Sequence, residues 1–221
     1  MGTIDGRLGR LILLPLSVLF LSACPASAGE SEESREQEPE SAPSPAQEAA
    51  SADGAEELRF SQAGGEITWV GSRIIGGRHD GGFREFEGKI TVSGGRAETS
   101  SLEFTINLQS IWSDNERLTA HLKNDDFFDV DNHPTGTFVS TSVVEGGEGD
   151  ATHTITGNLT LRGTTRSVTF PAKIEVSDQT LRAQGEFELD RMQFGIAFRG
   201  PADNLIRDKA KVSFSITAPR S

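Results

Sequence analysis

The sequence contains no tyrosine, two tryptophans and a single cysteine, Cys24. One cysteine excludes an intramolecular disulfide, so packing and hydrogen bonding must hold the fold together. Basic residues are outnumbered, 21 Lys and Arg against 33 Asp and Glu, for a net charge of −12. That balance excludes a basic nucleic-acid footprint, and no nucleic-acid partner is expected. Also lacking is any apolar run of the roughly 20 residues that a membrane-spanning helix needs. The longest, Leu11–Leu21, has eleven residues.

That run follows Arg7 and Arg10 and precedes Ser22, Ala23 and Cys24, the layout of an export signal. Leu21-Ser22-Ala23-Cys24 matches the bacterial lipoprotein box, in which the cysteine becomes the lipidated first residue of the mature chain. Residues 1–23 are read as a signal peptide of lipoprotein type and Cys24 as the lipidation site, which accounts for a lone cysteine in an exported chain. Pro25 rather than Asp follows the lipid site, which points to the outer membrane facing the periplasm. The alternative is ordinary cleavage after Ala26-Ser27-Ala28, giving a soluble periplasmic or secreted protein.

Residues 24–57 are read as an acidic disordered linker. From Pro25 to Glu57 there are ten acids, one base, no aromatic and no β-branched residue. Such a segment buries too little apolar surface to offset its ordering entropy, and its acids repel one another. From Leu58 onward 22 acids face 18 bases, so most of the acidic excess belongs to the linker.

After Leu58 the hydropathy takes a period of two. Leu102, Phe104, Ile106 and Leu108 alternate with polar residues, as do Val168 to Val176, Leu181 to Leu189 and Val212 to Ala218. This marks half-buried strands. Further strands are expected at 66–70, 83–92, 136–144 and 152–161, eight in all. Arg162-Gly163-Thr164-Thr165 and Ser177-Asp178-Gln179 read as hairpin turns, so neighbouring strands are antiparallel. Periodicity leaves a sandwich and a closed barrel equally open; eight strands in a barrel leave room for side chains or one small ligand. Ala183, Gly185 and Gly157 lower the filling volume of the apolar phase, although twist and bulges explain strand glycines as well. Two connections exceed turns: Ser110–Thr135, where Ser113-Asp114-Asn115-Glu116 reads as a capping box for one short helix, and Asp190–Lys209.

Reactive constellations are missing. The closest of the four histidines (79, 121, 133, 153) are twelve residues apart and have no companion cysteine, so no metal is expected. There is no Gly-x-Ser-x-Gly elbow, and Asp125, Asp126 and Asp129 read as turn residues rather than paired acid–base catalysts. The chain is read as a non-enzyme.

The stretch Leu118-Thr-Ala-His121-Leu-Lys-Asn-Asp-Asp-Phe127-Phe128-Asp129-Val130, followed by His133-Pro134-Thr135 and Thr137-Phe138-Val-Ser-Thr141, resembles the central signature of the YceI-like family. Trp69-Val70-Gly71, Gly77-Arg-His79-Asp-Gly81-Gly82-Phe83, Ile155-Thr-Gly157-Asn158-Leu159-Thr-Leu161-Arg-Gly163 and Asp190-Arg191-Met-Gln-Phe194-Gly195-Ile196 support it in the right order. His133 departs from the pattern, standing where an aromatic is more usual. The resemblance covers residues 58–221 and implies an all-β, eight-stranded antiparallel lipocalin-like barrel holding a long apolar molecule, typically a polyisoprenoid or related lipid.

Many rings in a domain without tyrosine suit a deep apolar slot, although core filling is the simpler account of any one of them. The slot candidates on the first strands are Trp69, Phe83, Phe86, Phe104 and Ile106. In the long connection they are Trp112, Leu118, Phe127 and Phe128. Later in the chain they are Phe138, Leu159, Phe170, Phe187 and Phe194. His79, Arg166 and Arg191 are candidates for the mouth, against an anionic head. The expected function is to bind, sequester or carry an isoprenoid, isoprenoid quinone or acyl lipid in the cell envelope, with no cofactor beyond that lipid. The expected partners are the lipid and, through the anchor, a membrane; a homodimer stays open. The rival readings are an envelope interaction or stress protein whose barrel is filled by its own side chains, and an enzyme acting on a bound lipid.

Overall fold

The computed structural model describes residues 55–220. The signal peptide, Cys24 and almost all of the linker lie outside the described residues. The domain is all-β with one short helix. Its elements are β1 Glu56–Ser61, β2 Gly65–Ser72, β3 Arg78–Phe83, β4 Phe86–Ser93, β5 Arg96–Asn107, β6 Ile111–Ser113, α1 Glu116–Leu122, β7 Thr135–Glu145, β8 His153–Leu161, β9 Thr164–Val176, β10 Thr180–Asp190 and β11 Lys209–Pro219. The first strand takes in Glu56 and Glu57, which composition alone assigned to the linker.

Eleven strands replace the eight expected, for a physical reason. The first three passes of the chain are each broken once: by a 3-10 turn at Gln62–Gly64 between β1 and β2, by the two residues between β3 and β4, and by a second 3-10 turn at Leu108–Ser110 between β5 and β6. A 3-10 turn inserts three residues, an odd number, so the period-two run is interrupted. The inward phase shifts from Phe60 to Ile67 and from Ile106 to Ile111. Counted as passes, the strands number eight. Each pass pairs antiparallel with the next, through β1–β4, β2–β3, β4–β5, β3–β6, β5–β7, β7–β8, β8–β9 and β9–β10. β10 pairs with β11, and β11 returns to β2, so the meander closes on itself.

The turns sort to two ends. At one end the chain reverses tightly, at Gly94-Gly95, between β7 and β8, and at the Ser177–Gln179 hairpin. Both chain ends of the described domain lie there too: Arg220 donates to Glu56 Oε2 at 2.7 Å and 3.0 Å. At the other end lie residues 73–77, the Arg162-Gly163 hairpin and the two long connections. Arg162 and Gly163 have φ of 49° and 69°, the left-handed pair that a two-residue hairpin requires.

The helix forms as its signal implies, but two residues later. Asn115, not Ser113, caps it, its Oδ1 accepting from Leu118 N at 3.0 Å. The Ser113 hydroxyl instead donates to the Asn115 carbonyl at 2.8 Å and lies 3.0 Å from the Thr119 hydroxyl, fastening β6 to α1. The core runs through the barrel from Leu58 to Ala218, and at the tight end it is solid. Leu58, Val92, Ala172, Leu181 and Ala218 are buried there, none more than 3 % exposed.

Candidate functional site

Above that solid layer the barrel is hollow. A cavity of about 440 Å³ extends from Ile90, Ile155 and Ile216 to Ser72, Arg73, Arg207 and Lys209, where it reaches the surface. The volume lies in the range of small-molecule pockets, about 300–1,000 Å³. Its wall is apolar nearly throughout; polar and basic side chains gather at the open end.

The hollow follows from how the rings lie. Phe104 stacks on Phe138 at 5.2 Å between centroids, Phe138 meets Phe170 at 5.6 Å, and Phe170 stacks on Phe187 at 4.7 Å and meets Phe214 edge-on at 5.5 Å. The rings form a band around the wall rather than a plug through its centre. Glycines make this arrangement fit. A Cβ at Gly157 would strike the Phe138 ring, and one at Gly185 would meet the Phe214 ring at 2.7 Å. The two glycines singled out in the sequence thus seat neighbouring rings flat against the sheet.

Of the residues proposed for the slot, the structure brings Trp69, Phe83, Phe104, Ile106, Leu118, Phe127, Phe128, Phe138, Leu159, Phe170 and Phe187 to the cavity wall. Three it does not. Phe86, 4 % exposed, follows the break between β3 and β4 and packs in the core beside the cavity rather than on its wall. Phe194, 1 % exposed, is tucked into the core by the 3-10 turn after β10. Trp112 pairs with Gly82, which alternates with the inward Gly81 and Phe83, so its ring lies on the outer face. The Arg84 guanidinium sits 6.0 Å from that ring.

At the mouth, His79 and Arg191 line the cavity, whereas Arg166 does not. Arg166 stands at the mouthward end of β9, exposed, and donates to its neighbour's carbonyl, Thr165 O, at 3.1 Å. His79 Nδ1 lies 2.8 Å from Asp114 Oδ1, a hydrogen bond that lowers the Asp114 pKa. Arg191 is 7 % exposed and donates to the carbonyls of Arg207, Ile196 and Ile206 at 3.0, 2.5 and 3.4 Å. Burial pushes the Arg191 guanidinium below its ordinary pKa, with Asp208 at 3.8 Å acting against the shift. Its donors are turned to the backbone of the 191–208 connection, so it braces the mouth.

Arg162 braces it from the other side. Its guanidinium donates to Gly195 O in one long connection and to Asp125 O in the other. Between them, the rings of His121, Phe127 and Phe198 meet at 4.7 to 5.2 Å and fill the space beside the cavity. The four histidines are far from forming one cluster. Each has its own carboxylate, His79 with Asp114, His121 with Asp126, His133 with Asp129 and His153 with Glu98. Among the described residues no group of three or more His, Cys, Asp or Glu converges on a point.

The wall also contains residues that were not singled out. Ile67, Leu102, Val168, Val212, Phe214 and Ile216 lie on the alternating apolar phase and were legible only as core. Phe60 was missed with β1, and Arg73 and Arg207 lie in loops where no periodicity operates.

Comparison with known proteins gives the same fold. The structure resembles Burkholderia cenocepacia BcnA with a TM-score of 0.64 at 21 % identity, covering 72 % of this chain and 99 % of that one. It also resembles a polyisoprenoid binding domain from Saccharophagus degradans implicated in plant cell wall breakdown, with a TM-score of 0.58 at 12 % identity over 75 % and 99 % of the two chains. In sequence, a UPF0312 protein of Ectopseudomonas mendocina is 40 % identical over 93 residues, which are 42 % of this chain and 48 % of that protein. A UPF0312 protein of Shewanella denitrificans is 39 % identical over 106 residues, 48 % of this chain and 52 % of that protein. The chain thus spans about half the length of the curated relatives it matches. The YceI-like domain matches residues 59–218, the whole barrel from β1 to β11. The chain belongs to the YceI-like family.

Proposed function

We propose that the barrel binds one long apolar lipid, of isoprenoid, isoprenoid-quinone or acyl type, with its tail inward and its head at Arg73, His79 and Arg207. The carrying observation is the cavity itself: about 440 Å³, walled by rings and aliphatic side chains, with basic residues gathered at the mouth. Burying a hydrocarbon chain gains roughly 0.8 kcal/mol per methylene, so affinity needs no polar anchor along the tail. The similarity to a polyisoprenoid binding domain is in keeping with this ligand class. A single oxygen in the ligand has a donor waiting: Trp69 Nε1 is buried in the wall without an acceptor among the described residues. The reading requires no reacting group and makes the protein a carrier or store.

The export signal and Cys24 extend this reading to a lipoprotein of the cell envelope. In that setting, Cys24→Ser should release the protein from membranes on fractionation in high salt, where the lipidated chain stays bound. Lipid binding is tested by organic extraction and native mass spectrometry of the purified protein, then by titration with a polyprenol or a fatty acid. Trp69 emission should change on titration while that of Trp112, outside the barrel, stays constant, so Trp112→Phe leaves the signal intact. Protein that yields no co-purified lipid and shows no emission change with either ligand would overturn the reading.

A further inference from the structure

The rim of the mouth carries the two most exposed large apolar side chains among the described residues, Ile74 at 54 % and Ile75 at 68 %. They stand side by side in the turn between β2 and β3. Gly76 and Gly77, with φ of 55° and 80°, close that turn, and no atom lies near a Cβ built on Gly76, so the tip projects into open space. The tip is nonetheless held firmly. Ile74 N donates to Leu205 O at 2.9 Å, Ile75 N to Asn204 Oδ1 at 3.2 Å, Arg73 N to Gly77 O at 3.1 Å and Arg207 N to Ser72 O at 2.9 Å. Two adjacent isoleucines fixed outward in water gain nothing for the fold.

Their surroundings are basic in a chain that is otherwise acidic. Arg73 and Arg78 flank them in sequence, and Arg207 and Arg199 belong to the facing segment, where Ile206 N donates to Arg199 O at 2.9 Å. Acids are present at the rim as well: Asp80 pairs with Arg78 at 3.3 Å, Asp208 lies 3.8 Å from Arg191, and Asp203 is exposed. Among the described residues, Arg73, Arg199 and Arg207 have no carboxylate at ion-pair distance. No acid occurs anywhere from Ser72 to His79. An apolar tip ringed by unpaired arginines is the pattern of a surface that inserts at a lipid headgroup boundary and gains from negative charge there.

We propose that the barrel mouth docks on the surface of an anionic lipid bilayer, with Ile74 and Ile75 inserted among the lipids and Arg73, Arg199 and Arg207 against headgroup phosphates. Arg73 and Arg207 line both rim and cavity, so docking places the cavity entrance at the membrane. A long apolar ligand then passes between bilayer and barrel without entering water. In its purpose this inference rests on the lipid-binding reading, but its test is separate.

The test uses the full chain with Cys24→Ser, which removes the lipidation site and the one native thiol. Ile75→Cys is labelled with a polarity-sensitive naphthyl dye, and Val144→Cys, at the tight end, serves as the second label position. Vesicles are phosphatidylcholine alone, or phosphatidylcholine and phosphatidylglycerol in a two-to-one ratio. The expected result is a blue shift at position 75 with the anionic vesicles, reversed by high salt, and none at position 144. In unlabelled Cys24→Ser chain, Ile74→Ser with Ile75→Ser should lower the binding constant for anionic vesicles by on the order of tenfold, given the apolar area withdrawn. No shift at position 75, an equal shift at 144, or undiminished binding by the double serine variant would overturn the proposal. So would a shift at position 75 that grows with protein concentration without vesicles, which would make the tip a contact between copies. Lipid recovered by extraction from a protein that fails these tests would leave the binding reading standing and remove only the docking.

Discussion

The two ends of this barrel are built from the same alternating strands and differ in what the inward residues do with their volume. At the tight end, Leu58, Val92, Ala172, Leu181 and Ala218 meet across the axis and leave no gap. Further toward the mouth, Phe138 and Phe214, each seated on a glycine, and Phe170 between them lie along the wall and leave about 440 Å³ empty. Large side chains make the hollow layer and small ones the solid layer. Ring orientation, set by the glycine opposite, decides the outcome more than side-chain size.

The sharpest way to break this comparison is to delete equal volume at each end. Leu58→Ala, in the solid layer, should cost about 2–5 kcal/mol. Leu159→Ala, in the cavity wall, should cost less, because its side chain has empty space on one side and forfeits fewer contacts. Urea melts of the two lipid-free variants decide it, and equal losses would mean the wall is as tightly packed as the floor. Next in size is Gly157→Ala. The added methyl meets the Phe138 ring and drives it toward the axis, costing about 1–3 kcal/mol as overpacking and reducing lipid capacity. Stability and ligand stoichiometry measured on the same sample should fall together; capacity unchanged at lower stability would mean that the ring moves elsewhere.

Arg162→Ala is expected to act on the mouth alone. It frees Gly195 O and Asp125 O, and amides of the 191–208 connection should exchange faster while those of β8 and β9 keep their protection. The smallest effect is on acid stability. Asp114, hydrogen-bonded to His79, and Glu98, held chiefly by its own backbone amide, both titrate below their ordinary values in the folded protein. A carboxyl depressed by folding stabilises above its unfolded pKa and loses that contribution as pH falls through the folded one. The melting temperature should therefore decline as pH drops through about 4 and below, and Asp114→Asn should flatten part of the decline.

Much of this was legible in the sequence because a strand buried on one face writes its orientation into every second residue. Phe104, Phe138, Phe170 and Phe187 were placed on the wall by that rule together with the family signature. The rule fails where the backbone changes direction. The breaks at Gln62–Gly64 and Leu108–Ser110 hid β1 and β6, and with them Phe60. Trp112 was read as inward because its strand had no visible register, and only the pairing with Gly82 shows its true face. Phe86 and Phe194 are apolar and buried as expected, but depth along the barrel axis is a property of register, which periodicity does not encode. Arg162 was legible as a turn residue, and its reach to both long connections was not, because it depends on two carbonyls more than 30 residues away.

The clasp between Glu56 and Arg220 ties the beginning and the end of the barrel together at the tight end. The chain therefore enters the barrel at the pole opposite the one through which a ligand would enter. A tag, a dye or a second domain joined directly at Glu56 or Arg220 starts from the pole away from the doorway.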